Sequence, residues 1–179
     1  MHITTDYKDK TGAILALFSD TFTASEGAEA GAVIGQLVQD MLAALPPEDM
    51  SVFSAVEDGA VLGCVLFTRM TYPEDGRTVF ILSPAAVATG HQGRGLGQRL
   101  ITGALEVLRQ AGVEIVLTYG DIAFYGRVGF APITEAQARP PQPLSYPEGW
   151  LGRALPDGAF APLAGPSRCV PPLEDPAHW

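Results

Sequence analysis

Gln92-Gly93-Arg94-Gly95-Leu96-Gly97 sets three glycines at alternate positions, with Arg94 inside the run and Arg99 just after it. Glycine lets a backbone take positive φ and lets a ligand approach closely. An apolar run, Val79 to Val87, precedes the glycines. A helical pattern follows, with Leu96, Leu100, Ala104 and Leu108 four residues apart and Ile101, Leu105 and Ala111 on the same side. Gly112 stands where such a helix would stop. The unit reads strand, glycine turn, helix. The first-turn N–H groups of a helix lack intrahelical acceptors, and its dipole favours an anion. This arrangement is suited to a phosphate group, with two arginines to add charge.

Three phosphate-binding patterns compete for this stretch. A Walker loop requires Lys-Ser/Thr after its last glycine, and here Gln98-Arg99 follows Gly97. A dinucleotide fingerprint is Gly-x-Gly-x-x-Gly within an early βαβ unit, and the glycines at 93, 95 and 97 are spaced differently. The third pattern is Gln/Arg-x-x-Gly-x-Gly/Ala, the signature of the GNAT acetyltransferase superfamily. Gln92 to Gly97 resembles it at every defined position.

A second stretch extends the resemblance. Tyr125-Gly126-Arg127-Val128-Gly129-Phe130, preceded by Tyr119-Gly120-Asp121-Ile122-Ala123-Phe124, looks like the family's tyrosine followed four and five residues later by Gly-Phe. Its Gly-Asp pair ahead of an aromatic-Tyr pair is similar to the YhbS-like branch. Leu82-Ser83-Pro84-Ala85-Ala86-Val87 and Tyr146-Pro147-Glu148-Gly149-Trp150-Leu151 are also similar to that branch. The resemblance implies an α/β fold with a mixed α+β sheet. That central sheet is mostly antiparallel, splayed at a β-bulge and flanked by helices. It implies acetyl-CoA as co-substrate and a primary amine as acceptor, on a small molecule or on a peptide or protein. The alternative is a non-catalytic acyl-CoA-binding or regulatory module of the same family.

Residue roles follow from the resemblance. Gln92, Gly93, Arg94, Gly95, Leu96, Gly97 and Arg99 would hold the pyrophosphate. The backbone of Ala85, Val87 and Ala88 would hold the pantetheine arm. Tyr125 would protonate the leaving thiolate, a task suited to a phenol with a pKa near 10, and Tyr119 is the next phenol in line. Phe124 reads as packing. Pro84 lacks an N–H and fits the family's bulge, or equally an ordinary strand-end proline. Glu26 and Glu29 fall where the family lines its acceptor site, and read otherwise as solvated loop carboxylates.

The general base is the weak point of the pattern. Many family members carry a glutamate on the central strands, but Val79 to Pro84 contains no carboxylate. Asp121, Glu57, Glu26 and Glu29 remain. Asp121 sits at a strand C-terminus beside the expected cleft, but reads first as the cap of the Ile122 helix. An amine that arrives neutral, or a water chain, would need none of them.

The chain has 179 residues, a net charge of −9 and 47% hydrophobic residues, which suits one core and argues against disorder. The negative charge argues against nucleic acid as partner. No Cys/His spacing suggests a metal, and the two cysteines are far apart in sequence. The longest uncharged apolar stretch, Gly59 to Phe67, is too short to span a bilayer. The expectation is a cytoplasmic monomer or homodimer without membrane contact.

The elements that must position these residues are an edge strand His2–Thr5 and a helix capped by Asp6 or Asp9, with Ile14, Leu17 and Phe18 inward. A break at Ser25–Glu29 separates it from a second helix, Ala30 to Leu45, with Val33, Ile34, Leu37, Val38, Met41 and Leu42 inward. Strands Ser51–Glu57 and Ala60–Met70 join through the hairpin signal Asp58-Gly59. Strand Thr78–Val87 leads to the glycine turn, and Glu114–Tyr119 and a short helix Ile122–Arg127 come after it. The expected domain is residues 1–139, with a proline-rich extension, 140–179, packed on it through Trp150, Leu151, Leu155, Phe160 and Trp179.

Overall fold

The structure, a computed structural model, describes residues 1–156 and 159–179. Seven strands follow the order β1-β2-β3-β4-β5-β7-β6. They are β1 (His2–Thr4), β2 (Met50–Glu57), β3 (Ala60–Met70), β4 (Val79–Val87), β5 (Ile115–Tyr119), β6 (Ala131–Pro132) and β7 (Trp150–Ala154). The helices are α1 (Thr11–Glu26), α2 (Ala28–Ala44), α3 (Leu96–Gln110) and α4 (Ile122–Tyr125). By internal packing the chain forms two compact units, Met1–Phe67 with Pro84–Ala104, and Thr68–Ser83 with Leu105–Trp179.

In the first unit β1 pairs antiparallel with β2, His2 opposite Val56 and Thr4 opposite Ser54. Asp58 and Gly59 both take positive φ, 49° and 82°, as a two-residue hairpin turn between β2 and β3 requires. α1 and α2 form a helical hairpin whose only connecting residue is Gly27, at φ 101°. The break expected over Ser25–Glu29 is thus one residue long, because glycine alone reverses the chain there. Neither Asp6 nor Asp9 caps α1. The N-cap is Lys10, and the Thr11 hydroxyl donates back to the Lys8 carbonyl at 3.1 Å.

The two helices touch through small residues. A Cβ on Gly31 would lie 1.9 Å from Thr23 Oγ1 and 2.6 Å from the Ser19 carbonyl oxygen. This contact sets the inward face of α2. Leu37, Val38 and Met41 are buried, whereas Val33 is 46% exposed, contrary to its expected inward place. At 100° per residue Val33 stands about 200° round the helix from Gly31.

α3 continues the glycine turn and buries Leu96, Leu100, Ile101, Ala104, Leu105 and Leu108. Gly112, at φ 87°, ends it. The Val113 N–H donates to the Leu108 carbonyl at 3.0 Å and the Gly112 N–H to Arg109 at 3.1 Å, the paired bonds of a Schellman close. Ala111 lies beyond the helix and is exposed.

In the second unit β5 runs parallel to β4 from Val79↔Ile115 to Leu82↔Thr118. Its other edge pairs antiparallel with β7, from Ile115↔Ala154 to Tyr119↔Trp150. The proline-rich stretch therefore supplies a strand between β5 and β6. Asp75 and Arg77 fasten another part of it. Arg77 Nη2 meets Asp75 Oδ2 at 2.7 Å while its guanidinium donates to the carbonyls of Ala161 and Pro162, and Asp75 Oδ2 accepts the Ala164 N–H. Trp150 and Trp179 are buried, each with its indole N–H on a carbonyl, of Ala138 and Leu173, at 2.8 Å.

Candidate functional site

The first unit carries the glycine turn. Gly93 and Gly95 take φ of 72° and 73°, which side chains rarely adopt. A Cβ at Gly93 would meet nothing within 4 Å, so the turn is open on that side. The Arg99 N–H bonds to the Gly95 carbonyl at 3.0 Å, the first full helical turn. The N–H groups of Leu96, Gly97 and Gln98 stand ahead of it, at the helix start, where a helix offers no carbonyl one turn back. Arg99 Nη1 donates to the Arg94 carbonyl at 3.2 Å and clasps the turn. Both arginines are exposed. Gln92 Nε2 donates to the Val87 carbonyl at 2.9 Å, which ties the turn to the end of β4.

β4 is unbroken through Pro84. Ser83, Ala85 and Val87 are part-exposed, and Pro84 and Ala86 between them are buried. Ala88 is differently placed from its neighbours in this group. Its N–H donates to the Leu62 carbonyl at 2.9 Å and its carbonyl accepts from His91 at 2.7 Å. A Cβ on Gly63 would lie 3.4 Å from both the Ala86 carbonyl oxygen and a Leu100 methyl, so β3, β4 and α3 are in close contact beside the turn.

Glu26 closes α1 and Glu29 lies in the first turn of α2; both are exposed. Glu57 is paired with the Met1 ammonium at 3.2 Å.

The second unit carries the tyrosines. Tyr125 is the last residue of α4, and its ring sits edge-on to Phe124 and Phe130, with centroids 5.0 and 5.8 Å away. A Cβ at Gly120 would lie 2.8 Å from the Tyr125 ring, so glycine there makes room for the phenol. The residue as a whole is part-exposed, while its hydroxyl end is desolvated. Burial raises its pKa above the usual phenol value, and a hydrogen bond with the Thr118 side chain partly opposes the rise. Thr118 is fully buried on β5 and donates to the Leu82 carbonyl at 3.0 Å. Nothing in its residue type marked it beforehand; a threonine in a β-branched strand reads as strand-forming.

Asp121 caps α4, its Oδ1 accepting the Ala123 N–H at 2.8 Å. The Tyr119 hydroxyl accepts the Tyr146 N–H at 2.6 Å and lies 3.2 Å from Ser145 Oγ. Among the described residues no group of three or more His, Cys, Asp or Glu could hold a metal ion, and no helix is long and apolar enough to cross a membrane.

Known proteins share this architecture. The uncharacterized N-acetyltransferase YjhQ of Escherichia coli (strain K12) is 34% identical over 122 residues, 65% of this chain and 67% of YjhQ. The uncharacterized N-acetyltransferase YhbS of the same strain is 32% identical over 74 residues, 41% of this chain and 44% of YhbS. The crystal structure of Escherichia coli YhbS in complex with CoA matches with a TM-score of 0.81 at 23% identity, over 96% of this chain and 91% of that one. A GNAT acetyltransferase from Brucella melitensis in complex with acetyl-CoA matches with a TM-score of 0.70 at 24% identity, over 94% and 93% of the two chains. At these identities the solved structures establish the fold. The model of the acetyltransferase (GNAT) family matches residues 12–130, and the chain belongs to that family of enzymes.

Proposed function

We propose that this enzyme transfers the acetyl group of acetyl-CoA directly to a primary amine of a small molecule, peptide or protein. The observation that carries the reading is the Gln92–Gly97 turn, open at Gly93 and leading into the first turn of α3. Backbone N–H groups there would bind the pyrophosphate, with Arg94 and Arg99 adding charge. The backbone of Ala85 and Val87, both part-exposed residues, would receive the pantetheine as an added strand, with the Val87 carbonyl already engaged by Gln92. Ala88, whose N–H and carbonyl are already engaged, would contribute shape rather than a hydrogen bond. Tyr125 would give its proton to the sulfur as the carbon–sulfur bond breaks. Its raised pKa keeps it protonated at neutral pH, the state an acid needs.

The base is assigned to no carboxylate. Asp121 is occupied as a cap, Glu57 is paired, and Glu26 and Glu29 are exposed at the helical hairpin, where they would attract a cationic acceptor. The acceptor would therefore react as the neutral amine. The same shortage of carboxylates supports the second reading, an acyl-CoA-binding module without turnover. The two free cysteines suit a reducing, cytoplasmic setting, and a monomer or homodimer acting as one functional domain is the proposed form.

An amine screen with acetyl-CoA, read by release of free thiol, tests the proposal. Thiol release that depends on an amine establishes transfer. Binding of acetyl-CoA without release by any amine supports the module instead. A thermal shift with ATP or NAD and none with acetyl-CoA would overturn both readings.

A further inference from the structure

Tyr125 sits in a helical stretch too short to hold its own pose. α4 has four residues, and a 3-10 turn, Gly126–Val128, continues it. Isolated helices shorter than about 12–15 residues are marginal in water. Ile122, Ala123, Gly126 and Arg127 are exposed, and Val128 alone in the stretch is buried. Its ends must therefore be fixed from outside. At the front Asp121 accepts the Ala123 N–H at 2.8 Å. At the back the Tyr125 carbonyl accepts the Phe130 N–H and the Gly126 carbonyl the Gly129 N–H, each at 3.2 Å. The Val128 carbonyl, the last of the stretch, accepts from Arg153 Nη1.

Gly129 makes room for that last bond. It takes φ of 85°, and a Cβ there would lie 3.1 Å from both Cζ and Nη1 of Arg153 and 3.3 Å from Nε. The guanidinium thus rests against bare backbone. Arg153 itself starts from a fixed place. On β7 it pairs with Val116 of β5, and its neighbours Gly152 and Leu151 pair with Ala131 and Pro132 of β6. A charged donor bonds a carbonyl more strongly than a neutral one, and positive charge suits the carbonyl end of a helical segment.

We propose that Arg153 is a positioning residue for Tyr125: laid over Gly129 and bonded to the Val128 carbonyl, it ties the back end of the Tyr125 segment to the central strands of the sheet. The proposal rests on the role assigned to Tyr125 above. Proton delivery to the leaving sulfur depends on where the phenol stands, and a displacement of about 1 Å can cost about a hundredfold in rate. Asp121 and Arg153 then divide the work, a carboxylate on the first N–H groups and a guanidinium on the last carbonyl.

The test uses full-length protein with tyrosine labelled at the ring carbon bearing oxygen. The five tyrosine signals are recorded, and that of Tyr125 is assigned with Tyr125→Phe. Arg153→Met keeps the length of the stem and removes the donor. It should move or broaden the Tyr125 signal and leave those of Tyr7 and Tyr72 in place. Arg153→Gln, shorter and uncharged, replaces it if the methionine variant does not fold. Arg153→Lys keeps a charged donor and should bring the signal back toward its wild-type position. An unmoved Tyr125 signal in Arg153→Met, or movement of all the signals together, would overturn the proposal. Kinetics supply the second arm, as single-turnover thiol release from acetyl-CoA with an acceptor taken from the amine screen, or with water as acceptor. Arg153→Met should slow the chemical step about tenfold or more and leave acetyl-CoA affinity unchanged. In a Tyr125→Phe background it should slow nothing further. Additive slowing would show that Arg153 acts without Tyr125 and would overturn the assignment. A wild-type rate in Tyr125→Phe alone would instead remove the acid role of Tyr125, and the catalytic consequence of Arg153 with it, whatever the signals show.

Discussion

The rings of Tyr119 and Trp179 lie nearly parallel, 19° apart with centroids 6.3 Å from each other. Tyr119 also meets Trp150 edge-on at 6.5 Å, and Ser145 Oγ donates to the Trp179 carbonyl at 2.7 Å. The phenol oxygen thus belongs to a network that closes the end of β5 against the last part of the chain. Two phenols six residues apart are held in different ways, Tyr119 by a loop backbone and Tyr125 between the rings of Phe124 and Phe130.

Tyr119→Phe should therefore act on stability. It removes the acceptor of the Tyr146 N–H and the partner of Ser145, a loss of about 0.5–1.5 kcal/mol. Chemical denaturation should show the lower midpoint, with turnover of the folded protein unchanged. Tyr125→Phe should do the reverse, lowering kcat by something like 10²–10⁴ with little change in unfolding midpoint. A Tyr119→Phe enzyme that is stable but inactive would exchange the two assignments.

Gly95→Glu and Gly97→Glu should abolish acetyl-CoA binding in a folded protein. Each adds a negative charge at the N-terminus of α3, and at Gly95 the positive φ adds strain. The wild-type protein should gain about 2.7 kcal/mol of stability at a hundredfold excess of acetyl-CoA over Kd. The variants should gain none in the same melting experiment.

Asp75 should make the protein acid-sensitive. Hydrogen bonding from Arg77 holds its carboxyl well below the usual carboxylate range, with the Arg77 and Ala164 N–H groups adding to it. A depressed folded-state pKa gives stability that is present above the unfolded value near 4 and lost as pH falls through the lower folded value. The interaction should be intact from neutrality down to about pH 4, and fail only below it. The pair lies under a surface segment rather than in the deep core, so screening limits its size to roughly 1–3 kcal/mol. Urea unfolding of wild type and Asp75→Asn should differ by that amount at pH 7 and converge in stronger acid.

Neither cysteine should react readily in the native state. Burial pushes the Cys64 thiol up to about 12 and the half-buried Cys169 thiol up to about 11. Thiolate, the reactive form, is then scarce at pH 8. A disulfide reagent should find two thiols promptly in denaturant and far fewer in native protein over the same minutes.

The glycine turn was legible in sequence because its chemistry and its backbone coincide. Gly93 and Gly95 are read as a phosphate device and also need positive φ, so one residue type answers both demands. The Asp58-Gly59 hairpin is of the same kind. Local capping was less legible. Asp6 and Asp9 resemble caps, yet a turn at Lys8–Lys10 shifts the helix start past both. Val33 misled because apolar periodicity does not reveal that a glycine marks the contact face. Thr118 was invisible because its partner, Leu82, lies 36 residues away, and only strand pairing makes them neighbours.

The α1–α2 hairpin constrains how this lineage can change. With Gly27 alone between the helices, a residue inserted at the turn would have to be absorbed without moving Gly31 off Thr23 and Ser19. Insertions and deletions, the usual source of loop diversity, would disturb the close approach of Gly31 to Thr23 and Ser19. Divergence at Glu26, Glu29 and their exposed neighbours must come by substitution on a fixed frame, so sequences aligned through it should keep their length while their charges vary.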